Sequence, residues 1–190
     1  ASASPEVDEV VVLAHSMGAW LAMESLRQLA LSEGRVPAKI TNVVLASPDL
    51  DIDVFERQVQ DLGPKRPHLT LFVSRNDQAL GGSRLLSGQV TRVGAVDLTN
   101  PAYSARLEQA TGIVVLDLTA LQGGDALNHS KFATQPDMVR LLGDRLMAGQ
   151  SISDDVTPGS TAVQAVGGAV GTVVAAPFQL PIQVFAGGRN

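Results

Sequence analysis

The sequence predicts an α/β protein: a mostly parallel sheet of about four strands flanked by helices. Three observations lead there. Apolar runs such as Val10–Leu13 and Val43–Ala46 lack the polar alternation of a half-solvated strand, as strands covered on both faces require. Helical periodicity fills the first intervals between such runs. Glycine and proline mark the joins, at Gly34 with Pro37 and at Gly63-Pro64 with Pro67.

The first unit is Val10 to Ala30, VVVLAHSMGAWLAMESLRQLA. A β-branched run gives a strand, five residues make a turn, and Ala19, Trp20, Ala22, Met23, Leu26, Leu29 and Ala30 then recur at helical spacing around Glu24, Arg27 and Gln28. The side chains of Met17 and Trp20 are expected in the core. Ser32 to Lys39 closes the helix, and Asn42 to Ala46 is the second strand, which a right-handed β-α-β unit sets parallel to the first. After the turn Ser47-Pro48-Asp49, a helix is expected over Asp49–Leu62 with Phe55 and Val59 on its inner side. The third strand, Leu69 to Ser74, leads into Arg75-Asn76-Asp77. Residues Ala79 to Ala110, with Gly81-Gly82, Gly88 and Gly94, read as a loop-rich connection with a short helix at 102–110. The fourth strand is Ile113 to Leu118, followed by Gly123-Gly124-Asp125 and Asn128-His129-Ser130, and Met138 to Met147 reads as a closing helix.

With 190 residues and 45% hydrophobic content, the chain supports one sizeable core and not two ordinary domains. Residues 1–148 are expected to form that core. Residues 149–190 form a glycine-, alanine- and valine-rich arm with no charge between Val156 and Gly188. The arm is too short and too rich in glycine for a membrane span, which takes about 20 apolar residues. Packing on the body is the expected fate of its apolar surface, with a partner chain or membrane contact as alternatives. A net charge of −5, with no Lys/Arg-rich face, argues against nucleic acid as a partner. Cysteine is absent and the three histidines are scattered, while Asp49, Asp51 and Asp53 lack the glycine and glutamate of a calcium loop. No metal and no cofactor are expected.

Chemistry concentrates at Ala14-His15-Ser16-Met17-Gly18. A strand that becomes a helix within five residues forces its central residue into strained backbone geometry and lifts that side chain above the sheet edge, with small neighbours at positions 14 and 18. The same turn aims the Met17 amide, at the positive helix end, toward any oxyanion formed beside the Ser16 hydroxyl. Serine is a poor nucleophile alone and needs a histidine base oriented by an acid. Asp77 and His129 both lie beyond strand C-termini, where ligands and catalytic groups gather in open α/β sheets. Asp49, after the second strand, is the alternative acid or a helix cap. His15 is expected to support the turn or line the pocket, and His68, preceding its strand, belongs to the opposite edge.

The pentapeptide resembles the nucleophile elbow of the α/β-hydrolase superfamily, serine esterase and lipase type, G-x-S-x-G, with Ala14 in place of the first glycine. The longer string HSMGAWLAMESLRQLA is similar to a bacterial branch of that superfamily composed largely of proteins of unknown function, and the resemblance covers roughly residues 1–145. It implies a triad in the chain order serine, acid, histidine, which Ser16, Asp77 and His129 satisfy. It also implies hydrolysis of a small-molecule carboxylic ester through an acyl-enzyme on Ser16, with the Met17 amide as one oxyanion donor. Strands before Val10, and a second donor between them, are implied as well, so the chain is expected to be the C-terminal part of a longer protein and less active alone. The alternative is a non-catalytic binding or assembly module, acting through the apolar C-terminal arm. In either case an edge near Val10 would pair with a second copy or with the N-terminal half.

Overall fold

The structure, a computed structural model, describes residues 4–103, 113–121, 124–134, 139–140 and 143–144, together with the strand segments 161–166 and 169–175. The chain runs β1 (Val10–His15), α1 (Met17–Glu33), β2 (Ile40–Ala46), α2 (Ile52–Leu62), β3 (His68–Val73), α3 (Gln78–Leu86), a 3₁₀ turn (Val93–Ala95), β4 (Ile113–Asp117), β5 (Thr161–Val166) and β6 (Ala169–Ala175). One sheet joins the strands in the order β1-β2-β3-β4-β6-β5. Strands β1 to β4 are parallel, as the β-α-β pattern predicts. Their register sets His15 beside Ala46, Ala46 beside Phe72 and Val73 beside Asp117. All four therefore end along one edge. Beyond β4, β6 and then β5 pair antiparallel, so part of the apolar C-terminal stretch extends the sheet.

The unbroken apolar runs of β2 to β4 follow from burial on two sides. Val43, Leu45, Leu69, Leu71, Val73, Ile113 and Val115 join Ala19, Met23, Leu26 and Ala30 of α1 and Phe55, Val59 and Leu62 of α2. The alternate residues Val44, Ala46, Phe72, Val114 and Leu116 pack with Leu118 and Leu121 under Phe132. Fully burying such a side chain contributes roughly 1.5–3 kcal/mol, an upper figure because the unfolded chain already hides some area. Across the first cluster, α1 and α2 are clamped by Arg27 Nε to Asp61 at 2.7 Å and by Gln58 Nε2 to Glu24 at 3.1 Å.

Four details depart from the sequence expectation. Strand β1 is not fully covered on both faces: Val10, Val12 and Ala14 meet the α1 side, while on the other face Val11 is half-buried and Leu13 is 56% exposed. It sits at the sheet edge, and the second cluster covers β2 to β4. In α1 the buried stripe is narrower than expected, so Met17, 72% exposed, and Trp20 face solvent. Helix α2 starts at Ile52, because Asp51 supplies the cap, accepting from the amides of Asp53 and Val54 at 2.8 and 3.2 Å. A helix, α3, runs through Gly81-Gly82 where a loop was expected. Of the closing helix, Val139, Arg140, Gly143 and Asp144 are helical, and its other residues lie outside the described set. Residues 104–110 of the short helix expected at 102–110 lie outside it too.

Candidate active site

Ser16 is the single residue between β1 and α1, and its backbone stands at φ 55, ψ −129. That region is costly for any residue with a Cβ, by about 1–3 kcal/mol, and persists only when its surroundings hold it. Here they do. The Ser16 amide donates to the Ala46 carbonyl at 3.0 Å, and its own carbonyl accepts from Ala19 at 3.0 Å and Asp49 at 3.2 Å. The elbow is thus pinned to the end of β2. Met17 opens a 17-residue helix, whose first amides have no intrahelical partner and carry the positive end of its dipole. The expected need for a small residue at position 18 is not a matter of space, since a Cβ on Gly18 would meet nothing within 4 Å.

Asp77 closes the turn after β3 and is 3% exposed. Oδ1 accepts from the Leu80 amide at 3.0 Å, capping α3, and Oδ2 accepts from Nδ1 of His129 at 2.8 Å. One carboxylate thus starts a helix and orients an imidazole. The accepting carboxylate places the proton on Nδ1, which leaves Nε2 as the basic nitrogen of the neutral ring.

His129 lies on an irregular segment beyond β4 and is held from several sides. Its amide and that of Ser130 donate to Asp125 Oδ1 at 2.7 and 3.1 Å. Its carbonyl accepts from Ser47 Oγ at 3.0 Å and from His15 Nε2 at 3.1 Å. The His15 ring also lies 4.7 Å from that of His129, centroid to centroid. His15 therefore reaches the imidazole segment from the position beside Ser16. Burial works against the charge on Asp125, but the amides of Ser130 and His129 outweigh it and hold its carboxyl below the usual range.

The alternative acid, Asp49, is engaged elsewhere: its Oδ1 accepts from Ser83 Oγ at 2.8 Å and pairs with Arg92 Nε at 3.2 Å. His68 begins β3, at the opposite edge. Among the described residues no group of three or more histidine, cysteine, aspartate or glutamate side chains is placed to hold a metal ion. No described helix is long and apolar enough to cross a membrane.

Sequence reasoning missed Asp125, Asn76 and Lys131. Lys131 is buried at 2% exposure, and its Nζ donates to Asn76 Oδ1 at 2.8 Å, the Thr119 carbonyl at 3.1 Å and the Leu118 carbonyl at 3.2 Å. Burial pushes its ammonium down from the ordinary lysine range, against the pull of Asp117 and Asp77. Asp125 carried a readable signal, since an aspartate ahead of Asn-His-Ser is loop-capping chemistry. A lone lysine two residues past a histidine carried none.

Residues 2–145 match a family described as "Alpha/beta hydrolase of unknown function (DUF900)". Searches of curated proteins and of solved structures returned no match.

Proposed function

Because the chain belongs to this α/β-hydrolase family of unknown function, we propose that it is a serine hydrolase that cleaves a carboxylic ester through an acyl-enzyme on Ser16. One observation carries the reading. A serine held in strained geometry at a strand-to-helix turn shares the sheet edge with a histidine whose Nδ1 is fixed by a buried carboxylate 2.8 Å away.

In that reading His129 Nε2 takes the Ser16 hydroxyl proton as the oxygen attacks the ester carbonyl, then returns a proton to the leaving alcohol. Asp77 keeps the imidazole in the right tautomer and stabilises its cation. The Met17 amide donates to the oxyanion as negative charge develops there. Water then repeats the sequence on the acyl-enzyme and releases the acid.

The test is labelling of the chain by a fluorophosphonate probe. Labelling of the wild type, its loss in Ser16→Ala and its marked slowing in His129→Ala and Asp77→Asn are the expected results. A wild type that is never labelled, with its fold intact, would overturn the mechanism. It would favour a second reading, a non-catalytic assembly module, which rests on β1 standing at the end of the sheet formed by the described residues and on the exposure of Leu13. Light scattering tests that reading, which a strictly monomeric chain would remove.

A further inference from the structure

A loop without regular structure must hold an imidazole to within a few tenths of an ångström for general-base catalysis, and each ordered loop residue loses about 1–2 kcal/mol of backbone entropy. Something has to fix this one. The hydrogen bond between His129 and Asp77 fixes one ring nitrogen and not the backbone that carries the ring. Lys131 supplies a further connection between the same two segments, beside those from Asn128 Nδ2 to the Asn76 carbonyl at 3.3 Å and from the Gln78 amide to the Leu127 carbonyl at 2.8 Å, and it is the charged one. Its stem leaves the chain two residues after His129, and its Nζ ends 2.8 Å from Oδ1 of Asn76, the residue before Asp77. The ammonium bridge therefore runs beside the bond between His129 and Asp77, one or two residues from each end.

The surroundings are built for it. Three acceptors, Asn76 Oδ1 and the Leu118 and Thr119 carbonyls, surround Nζ. Three acceptors need three N–H donors, so this site takes the ammonium and not the neutral amine, whose lone pair would face an oxygen. Asn76 is in turn fixed by Ser74 Oγ on its Oδ1 at 2.6 Å, by its Nδ2 on the Thr119 carbonyl at 3.4 Å and by Asn128 Nδ2 on its own carbonyl at 3.3 Å. Gly124, at φ +109, packs over the lysine stem so closely that a Cβ there would lie 3.1 Å from Lys131 Cγ. The carboxylates that act on the ammonium are Asp117, at the end of β4, and Asp77, on the turn after β3; Arg75, on the same turn, pairs with Asp97 instead.

We propose that Lys131 is a positioning residue, whose buried ammonium latches the His129 segment onto the turn bearing Asp77 and so sets the geometry of that pair. The proposal rests on the hydrolase reading for its catalytic consequence but not for its geometric one. The bridged Nδ1 proton of His129 is expected to give a far-downfield proton resonance, which is read without substrate and assigned by its loss in His129→Ala. Lys131→Met keeps the length of the stem and removes the charge and all three donors. The expected result is a folded chain in which this resonance broadens or vanishes, with kcat lowered about 10- to 100-fold and KM little changed. Lys131→Arg restores a cation and should recover part of both signals. An unchanged resonance and unchanged kcat in folded Lys131→Met would overturn the proposal.

If Lys131→Met does not fold, Asn76→Ala removes the acceptor nearest Asp77 and is held to the same two readouts. The wild type offers a reading without any substitution: the Lys131 ammonium protons should be protected from exchange at neutral pH, and a freely exchanging or neutral lysine would overturn the latch. A wild type that escapes fluorophosphonate, yet loses the downfield proton in Lys131→Met, would keep this inference and discard the enzyme. Labelled wild type with an indifferent Lys131→Met would do the reverse.

Discussion

The imidazole Nδ1 of His129 and the carboxylate Oδ2 of Asp77 meet at 2.8 Å across 52 residues of sequence. The same carboxylate caps α3 through its other oxygen, so helix and imidazole are aligned by one buried group. Asp77→Asn keeps an acceptor for the Leu80 amide but gives up the negative charge, and the amide can turn its NH₂ toward the ring and select the wrong tautomer. The fold should survive. A fall in kcat of about 10³- to 10⁴-fold is expected for ester hydrolysis, measured by steady-state kinetics beside thermal unfolding. Comparable loss of stability and activity would mean that capping is the main role of Asp77.

Acid should weaken the hydrogen bonds by which Asp125 holds the histidine segment. Asp125 titrates below its usual range, because the amides of Ser130 and His129 outweigh the cost of its burial. A carboxylate whose folded pKa lies below its unfolded value stabilises the fold above the unfolded value, and that contribution is lost as pH falls through the folded one. Asp61, hydrogen-bonded chiefly by Arg27, and Glu24, hydrogen-bonded chiefly by Gln28, are shifted in the same direction. Stability is therefore expected to decline below about pH 4. Urea midpoints measured across pH check this: the wild-type decline should flatten in Asp125→Asn, which keeps an acceptor oxygen without titrating. A wild-type midpoint that stays constant into strong acid would contradict it.

Much of this architecture was legible, and the reason is physical. Two-sided burial of β2 and β3 demands runs without polar interruption, and the chain order of Ser16, Asp77 and His129 against strand ends could be read without coordinates. What failed depended on neighbours. The run in β1 has the composition of a covered strand, but cover is a property of position in the sheet, and β1 stands at its edge. Gly81 and Gly82 weaken helix propensity by about 1 kcal/mol each relative to alanine, which hid α3. Its Asp77 cap, together with Leu80 buried against the core side, outweighs that penalty. Lys131 was illegible because nothing in its flanking residues marks three carbonyl-type oxygens brought together from two distant segments. The antiparallel strands β5 and β6 were not read from the apolar arm, although Gly-Gly between two apolar segments is a hairpin spacing.

Two glycines near the site should respond to alanine with opposite signs. At Gly94 a Cβ would stand 2.6 Å from Leu80 Cδ1 and 2.7 Å from both Pro48 N and Ser47 C. Two of those three atoms are backbone just past β2, and Gly94 is tied to that turn by its amide on the Pro48 carbonyl at 3.0 Å and to the end of β3 by its carbonyl, which accepts from the Ser74 amide at 2.7 Å. Gly94→Ala is expected to destabilise by about 1–3 kcal/mol. Gly18 lies in the first turn of α1 with open space around it, so Gly18→Ala should stabilise by about 0.5–1 kcal/mol through backbone entropy and helix propensity. Urea unfolding of the two variants decides. A destabilised Gly18→Ala would show that the elbow needs more room in solution than this geometry provides.

Ser16 is the position where stability and activity should part. Its φ of 55 and ψ of −129 suit glycine and strain every residue carrying a Cβ. Ser16→Ala removes the hydroxyl and keeps the strain, whereas Ser16→Gly removes both. Glycine also gains freedom in the unfolded chain, which works against it by roughly 0.4–1 kcal/mol. Relief of strain, worth about 1–3 kcal/mol, outweighs that loss, so Ser16→Gly is expected to be the more stable variant by about 1 kcal/mol. That order reverses the usual advantage of alanine over glycine. Neither variant should be labelled by fluorophosphonate, so activity cannot confuse the comparison. If alanine proves the more stable, the elbow relaxes without its hydroxyl, and the strain belongs to the serine side chain's contacts and not to the turn itself.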